Sequence, residues 1–375
     1  MITSRPQLRP DEVVRHLYVH VPFCPTICPF CSFHVLERRS AAVERYLDGV
    51  DLELAQLAER CEIVPETIYF GGGTPSYLRP AEMERLGAAI RSRVGWGSTE
   101  VTLEVHPSTA SAERVGEWAD LGVTRFSVGA QSFDDAVLTT LGRHHSGDAG
   151  RRAVEWCLSS GLTTSVDIMT AIDGQDLAAD LGTAAALGVD HVSAYTLTIE
   201  EGTPFEAGGV VVDNDVEAAA IGLAAELLEA SGFERYEVSN YARSGQRCHH
   251  NQAYWRHRWF AGVGPSAASL LPLADGTVAR WANAAMTPWL DGDPGAGEIM
   301  APADLLGDAL LCGLRLREGV DLDAVESLTG LDPRRELADE LDVLCAEGLL
   351  GLDGSTLRAT DAGYLVLDRV ATALL

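Results

Sequence analysis

Cys24, Cys28 and Cys31 stand in C-x3-C-x2-C spacing directly after the strand-like run His16-Leu-Tyr-Val-His-Val-Pro-Phe23. Thiolates are preferred ligands of iron–sulfur clusters and of zinc, and both usually take four protein donors. A compact set of three therefore implies a metal site with one coordination position left open. Three cysteines this close cannot all pair as disulfides, and their spacing differs from the paired C-x2-C knuckles of structural zinc. Two plainer readings stay open on these residues alone: three packed thiols, or a zinc ion recruiting a distant fourth donor.

Further residues with chemical capacity follow at the ends of other apolar runs. Gly71-Gly-Gly-Thr-Pro75 lacks three consecutive side chains, so its amides and carbonyls can approach a ligand closely; alone, it reads equally well as a tight turn. An amino-acid-like ligand chelating the open metal position would bring its ammonium group near those carbonyls. Glu104 and Asp167 are carboxylates where apolar residues would pack best, so each needs a polar partner. That partner is a ligand hydroxyl or amine, or an internal arginine or helix amide. Gln131 and Arg143 offer fixed donors for a carboxylate or an adenine edge.

These residues need a frame, and the sequence predicts an α/β one. Short β-rich runs at His16–Phe23, Thr67–Phe70, Glu100–Val105, Arg125–Ala130, Thr163–Ile172 and His191–Ile199 alternate with helical stretches at Ala41–Arg60, Pro80–Arg93, Ser111–Leu121, Asp148–Ser160 and Gln175–Leu187. Six β–α repeats indicate parallel strands in a barrel-like or doubly wound order, with chemistry at the strand C-termini. After Phe205 the pattern changes: a helix at Asp215–Ser231, a His/Trp/Tyr-rich loop from Cys248 to Phe260, and a second loop at Pro288–Ile299. From Ala303 a helix–helix–hairpin–helix order predicts a winged-helix-like appendage. The expected domains are residues 1–205, 206–302 and 303–375.

Composition narrows the function class. A net charge of −27 repels phosphate backbones, which argues against nucleic-acid partners. Met1–Pro10 lacks an apolar leader core, and no run approaches the roughly 20 apolar residues of a membrane span, so a soluble cytoplasmic protein is expected. Cys61, Cys157, Cys248, Cys312 and Cys345 are scattered singly and read as packed, reduced thiols.

Taken together, Tyr18-Val-His-Val-Pro-Phe-Cys24, the Cys28/Cys31 pair, Gly71-Gly-Gly-Thr-Pro75, Gly129-Ala-Gln-Ser-Phe133, Gly142-Arg-His-His-Ser146, Glu201-Gly-Thr-Pro-Phe205 and Tyr236-Glu-Val-Ser-Asn-Tyr241 resemble radical S-adenosylmethionine (SAM) proteins. The resemblance is to the group of oxygen-independent coproporphyrinogen III oxidase (HemN) and the haem chaperone HemW. It runs from Tyr18 to the C-terminus. It implies a partial (β/α)6 barrel with a HemN-like α/β extension, and a [4Fe–4S] cluster on Cys24, Cys28 and Cys31 whose open iron binds SAM. It also implies reductive cleavage of SAM to a 5′-deoxyadenosyl radical, with a reductant such as flavodoxin or ferredoxin. By the same resemblance Tyr18, Gly72 and Glu104 contact this SAM. Where the group holds a second SAM, Phe30, Gly73, Thr74, Gln131, Arg143, Asp167 and Ala194 match the positions that contact it.

Subtype turns on fewer residues. The oxidase carries a fourth Cys where this chain has Phe33, which argues against coproporphyrinogen decarboxylation. His250-Asn-Gln-Ala-Tyr-Trp255 resembles the H-N-x-x-Y-W element of HemW; His250 would ligate haem iron, and Tyr254 and Trp255 would stack on the macrocycle. The plainer alternative is a polar–aromatic loop satisfying backbone groups. Departures from HemW are Asp167-Ile-Met-Thr-Ala-Ile-Asp-Gly-Gln175, which lacks a Gly-Leu-Pro turn, Cys31-Ser-Phe-His34, and Ala268 where a His is usual. Two readings result: a HemW-like haem carrier, or a HemN-like class C methyltransferase or cyclopropanase. The latter would use two SAM molecules on an sp2 carbon of a small heteroaromatic or unsaturated substrate.

Overall fold

Near-continuous apolar runs form six parallel strands, as expected of a sheet covered on both faces. In the computed structural model these are β1 (Val13–Val21), β2 (Glu62–Gly72), β3 (Glu100–Val105), β4 (Arg125–Gln131), β5 (Thr163–Thr170) and β6 (His191–Thr196). The structure describes residues 7–9 and 11–375, so most of the Met1–Pro10 stretch read for a leader lies outside the described residues. Each strand pairs in parallel with the next, in sequence order.

Helices return the chain across the faces. Ser40–Ala58 buries Val43, Tyr46, Leu47, Val50, Leu54 and Leu57, the i, i+3, i+4 set of one helical stripe. Ser111, Ser146 and Asp176 accept backbone N–H bonds at the starts of the helices Ala112–Asp120, Gly147–Ser159 and Leu177–Leu187. Because every crossover is of this kind, all six strand C-termini emerge on one rim.

The sheet does not end with the six repeats. Phe260–Val263 adds in parallel beside β1, followed by the antiparallel strands Ala268–Pro272, Val278–Ala282 and Ala296–Met300; Asn240–Ala242 and Glu234–Arg235 extend the β6 edge. Among the described residues, twelve strands thus lie in one linear order, an α/β partial barrel whose extension shares the same sheet. Residues 303–375 have a separate apolar core, including Leu310, Leu322, Leu344, Leu357 and Val370, and a three-stranded sheet with a Leu350–Ala359 hairpin, the winged-helix-like appendage. Among the described residues, no helix is long and apolar enough to cross a membrane.

Two segments read as loops are ordered by distant partners. Cys248–Phe260 contains a helix, His249–Trp255, because the Glu100 carboxylate accepts the N–H groups of His249 and His250 at its first turn. Within Pro288–Ile299, Ala296–Met300 is a strand edge against Val278–Ala282, and a Cβ at Gly297 would stand 2.6 Å from the Arg280 carbonyl. That close approach needs glycine for packing, whatever its local turn propensity.

Candidate functional site

The rim gathers the chemistry-bearing residues into a cavity of about 180 Å³. Its walls include Cys24, Cys28, Phe30 and Cys31 from the loop after β1; Gly72 at the end of β2 with Gly73 and Thr74 beyond it; and Glu104 and His106 around the end of β3. Ser127, Gly129 and Gln131 of β4, Arg143, Asp167 of β5 and Tyr195 of β6 complete it. Eleven of the thirteen residues expected at the cluster or SAM line this one space, all but Tyr18 and Ala194; strand-end position pointed to eight of them, and the family resemblance to Phe30, Thr74 and Arg143.

Cys24 is held by a two-residue pairing of Phe23–Cys24 with Leu36–Glu37, and its Sγ accepts from Thr74 Oγ1 at 3.5 Å. Cys28 Sγ accepts from Arg143 Nη1 at 3.3 Å, and the Cys31 amide closes a turn on the Cys28 carbonyl. Burial pushes the Cys24 thiol up to about 11 and raises Cys31, so bare thiolates are disfavoured until a cationic centre binds them. A single tetrahedral zinc with bonds of about 2.3 Å would draw its sulfurs to about 3.8 Å apart. Among the described residues, the only trio of His, Cys, Asp or Glu ligand atoms within 4.8 Å of one another lies elsewhere, so the three loop sulfurs are not all within that distance of one another. The donor set fits a larger, multi-iron cluster.

The opposite wall is shaped to admit a ligand. Gly72 has φ +104° and a Cβ there would meet the His20 ring at 2.5 Å, while a Cβ on Gly73 would come within 3.0 Å of backbone atoms of Val21, Pro22 and Phe23. Only glycine tolerates both constraints. Arg143 Nη2 donates to the Gly129 carbonyl at 2.8 Å, while its Nε is buried without a partner, an orphan that an incoming acceptor would satisfy.

Glu104 accepts from the Tyr69 hydroxyl at 3.1 Å; burial, reinforced by Asp167, pushes its carboxyl up to about 7. Asp167 accepts from Ser127 Oγ and is itself raised, mainly by burial. Two half-buried carboxylates that make no direct ion pair invite an ammonium or hydroxyl donor. Gln131, at φ +68°, accepts from the Tyr195 hydroxyl.

Tyr18 and Ala194 are placed differently. Ala194 N–H donates to the Ser239 carbonyl, and its neighbour Tyr195 faces the cavity instead. Tyr18 stacks near Tyr69 and lines a second, apolar cavity of about 650 Å³. This cavity lies between the rim and the C-terminal appendage and is lined by His20, His34, Tyr254, Trp255, Phe260, Ala268, Arg280 and Cys312 among others. Phe33, 66% exposed, belongs to the walls of both cavities.

His250 does not present itself as a ligand. It is fully buried, its Nδ1 bonds to Thr67 Oγ1 at 2.7 Å and its Nε2 to the Tyr254 hydroxyl at 2.8 Å, and its ring stacks on Tyr69. The expectation that it ligates iron is therefore corrected for this conformation: both nitrogens are occupied, and the residue anchors Tyr254. Tyr254 and Trp255 do face the apolar cavity. Trp255 also carries Arg315 over its ring at 4.5 Å. Sequence reasoning missed His106, whose place immediately after β3 was the available signal, and His20, which lies inside the quoted Tyr18–Cys24 run. It also missed the second cavity, for which no local signal existed.

Residues 18–184 match the Radical SAM superfamily, and residues 300–366 match the HemN C-terminal domain. The chain is 35% identical to the haem chaperone HemW of Escherichia coli over 70% of this chain and 72% of that one. It is 33% identical to HemW of Mycobacterium tuberculosis over 96% and 94%. It is likewise 33% identical to "Radical S-adenosyl methionine domain-containing protein 1, mitochondrial" of Danio rerio over 97% and 89%. The solved coproporphyrinogen III oxidase (HemN) of E. coli superposes with a TM-score of 0.81 at 20% identity, over 99% of this chain and 91% of that one, which shows the shared fold.

Proposed function

The chain belongs to the radical SAM superfamily, in its HemN/HemW-like group, and from that premise we propose that it is a [4Fe–4S] protein that binds and reductively cleaves SAM and serves as a HemW-like haem carrier. The observation that carries the SAM part is the single cavity shared by three thiols, the Gly72–Thr74 wall, Glu104, Gln131, Arg143 and Asp167. Cys24, Cys28 and Cys31 hold the cluster; when bound, it supplies the electron that splits SAM into methionine and a 5′-deoxyadenosyl radical. Gly72 and Gly73 let the main chain approach the amino-acid end of SAM. Glu104 accepts from its hydroxyl or ammonium donors, and Arg143 holds the cysteine loop through Cys28 while offering its free Nε. Phe30 and Phe33 limit water at the open side.

The carrier reading rests on the names of the similar proteins and on the apolar cavity, whose volume of about 650 Å³ suits a planar macrocycle against Tyr254 and Trp255. One observation favours a second reading: Ala268 faces this cavity where the carrier group usually has a His, leaving room for a different, heteroaromatic substrate. That alternative is a class C methyltransferase or cyclopropanase holding two SAM molecules. The deciding experiment is anaerobic reconstitution followed by SAM, reductant and, in parallel, haemin. The carrier reading predicts stoichiometric haemin binding with 5′-deoxyadenosine but no S-adenosylhomocysteine. Homocysteine-product formation with a heteroaromatic acceptor and no retention of haemin would replace it with the alternative.

A further inference from the structure

The apolar cavity has one polar corner that neither reading uses. Asp308 and Cys312 lie one turn apart on the helix Pro302–Leu314 and so share a face. His257 reaches them from the turn that closes the helix His249–Trp255, with Nε2 2.7 Å from Asp308 Oδ2. The imidazole nitrogen, carboxylate oxygen and thiol sulfur all lie within 4.8 Å of one another, and all three residues line the cavity. His257 is nine-tenths buried, and its Nδ1 has no hydrogen-bond partner. Its backbone sits at φ +55°, where a helix exit usually takes glycine or asparagine, so a histidine stands here against backbone preference. The remaining Asp308 oxygen takes Arg280 Nη2 at 2.5 Å, and Arg280 Nη1 lies 3.9 Å from Glu298.

We propose that His257, Asp308 and Cys312 form a second metal site, separate from the cysteine loop, that takes a divalent cation of borderline softness such as zinc and leaves one coordination position open to the apolar cavity. A nitrogen, oxygen and sulfur set suits zinc and disfavours magnesium and calcium, which take oxygen. The cation takes the place of the hydrogen now shared by His257 and Asp308. That displaced hydrogen is carried on Nδ1, so that Nε2 ligates as a neutral imidazole, and the Cys312 thiol releases one proton to solvent. Arg280 remains on the other Asp308 oxygen as the outer partner that ligating carboxylates usually have. The open position would meet a donor atom on whatever occupies the cavity, so the site stands whether that occupant is haem or another substrate.

The test uses the cluster-loaded full-length protein, in which the loop cysteines are occupied. After dialysis against micromolar zinc, iron and zinc are measured on the same sample. One zinc per chain beyond the iron is expected, with Cys312→Ser, His257→Gln and Asp308→Asn each weakening retention at least about tenfold, and Cys345→Ser leaving it unchanged. In a chain with Cys24, Cys28 and Cys31 all changed to Ser, cobalt(II) gives a near-ultraviolet thiolate-to-metal absorption that Cys312→Ser removes. Circular dichroism verifies that each variant keeps the wild-type fold. Substoichiometric zinc in the wild type, or unchanged retention in folded Cys312→Ser and Asp308→Asn chains, overturns the site.

Discussion

The pocket at the cysteine loop draws its walls from the ends of β1 to β6, whereas the apolar cavity it meets at Phe33 draws its walls from segments as distant as Tyr18 and Cys312. The first is small and rich in charge, with half-buried carboxylates, an arginine and three thiols. The second is more than three times larger and mostly apolar, with a single charged corner. A pocket made by one repeated βα rule can serve a generic step such as radical generation. A pocket made by docking an extension and an appendage onto that rule is where related chains can change substrate without disturbing the cluster. Function would then divide at Phe33.

The largest way to break this division is Cys24→Ala. Loss of one of the three thiols proposed to hold the cluster should lower 5′-deoxyadenosine formation by about 100-fold or more, well beyond the usual effect of an outer partner, while leaving ligand binding in the apolar cavity unchanged. Iron content and haemin titration on the same preparation check both halves. If haemin binding falls in parallel, the two regions are one site.

Gly73→Ala comes next. Its Cβ would press within 3.0 Å of three backbone atoms, so the β2 loop must move. SAM affinity should drop about tenfold or more, with a stability loss of about 1–3 kcal/mol, read by isothermal titration and thermal melting.

Glu104 offers a pH handle. Its carboxyl is raised from the ordinary value to about 7, so the folded, SAM-free protein binds an extra proton between about pH 4.5 and 7 relative to the unfolded chain. Stability should therefore fall as pH rises through that window, by at most about 3 kcal/mol. Glu104→Gln should flatten that slope, making the SAM-free variant the more stable at pH 8; an unchanged slope in the variant would remove Glu104 as the cause.

His250→Ala should cost about 2–3 kcal/mol, because it leaves Thr67 and Tyr254 without their shared partner and opens a buried void beside Tyr69. Haemin affinity should change only through Tyr254; loss of an iron-bound imidazole signature in a stably folded variant would restore His250 as a ligand. The smallest effect belongs to Ala268→His, which adds a polar ring to the apolar cavity and should shift haemin or substrate affinity a few-fold with SAM cleavage unaltered.

Much of the rim could be read without coordinates, because a parallel βα unit announces itself by period. Glu100–Val105 was located residue for residue, and Glu104 follows from its place near that strand's end. The helix His249–Trp255 could not be read this way, since the carboxylate that receives its first amides is Glu100, far away in sequence. His250 illustrates the same limit. Its setting in H-N-x-x-Y-W marks it as special, but whether a ring nitrogen faces a ligand or Thr67 depends on which strand lies beneath it.

By itself the amino-acid sequence determined the repeat, the strand-end positions and the three-thiol loop, because these depend on local period and on neighbours within a few residues. Only the tertiary structure decided that His250 is enclosed, that Phe33 stands between two cavities, and that Cys312, expected to be a packed thiol, shares a corner with His257 and Asp308. These are contacts across dozens to hundreds of residues, set by how the extension and appendage pack against the sheet, and no local pattern encodes the distance at which two side chains will meet.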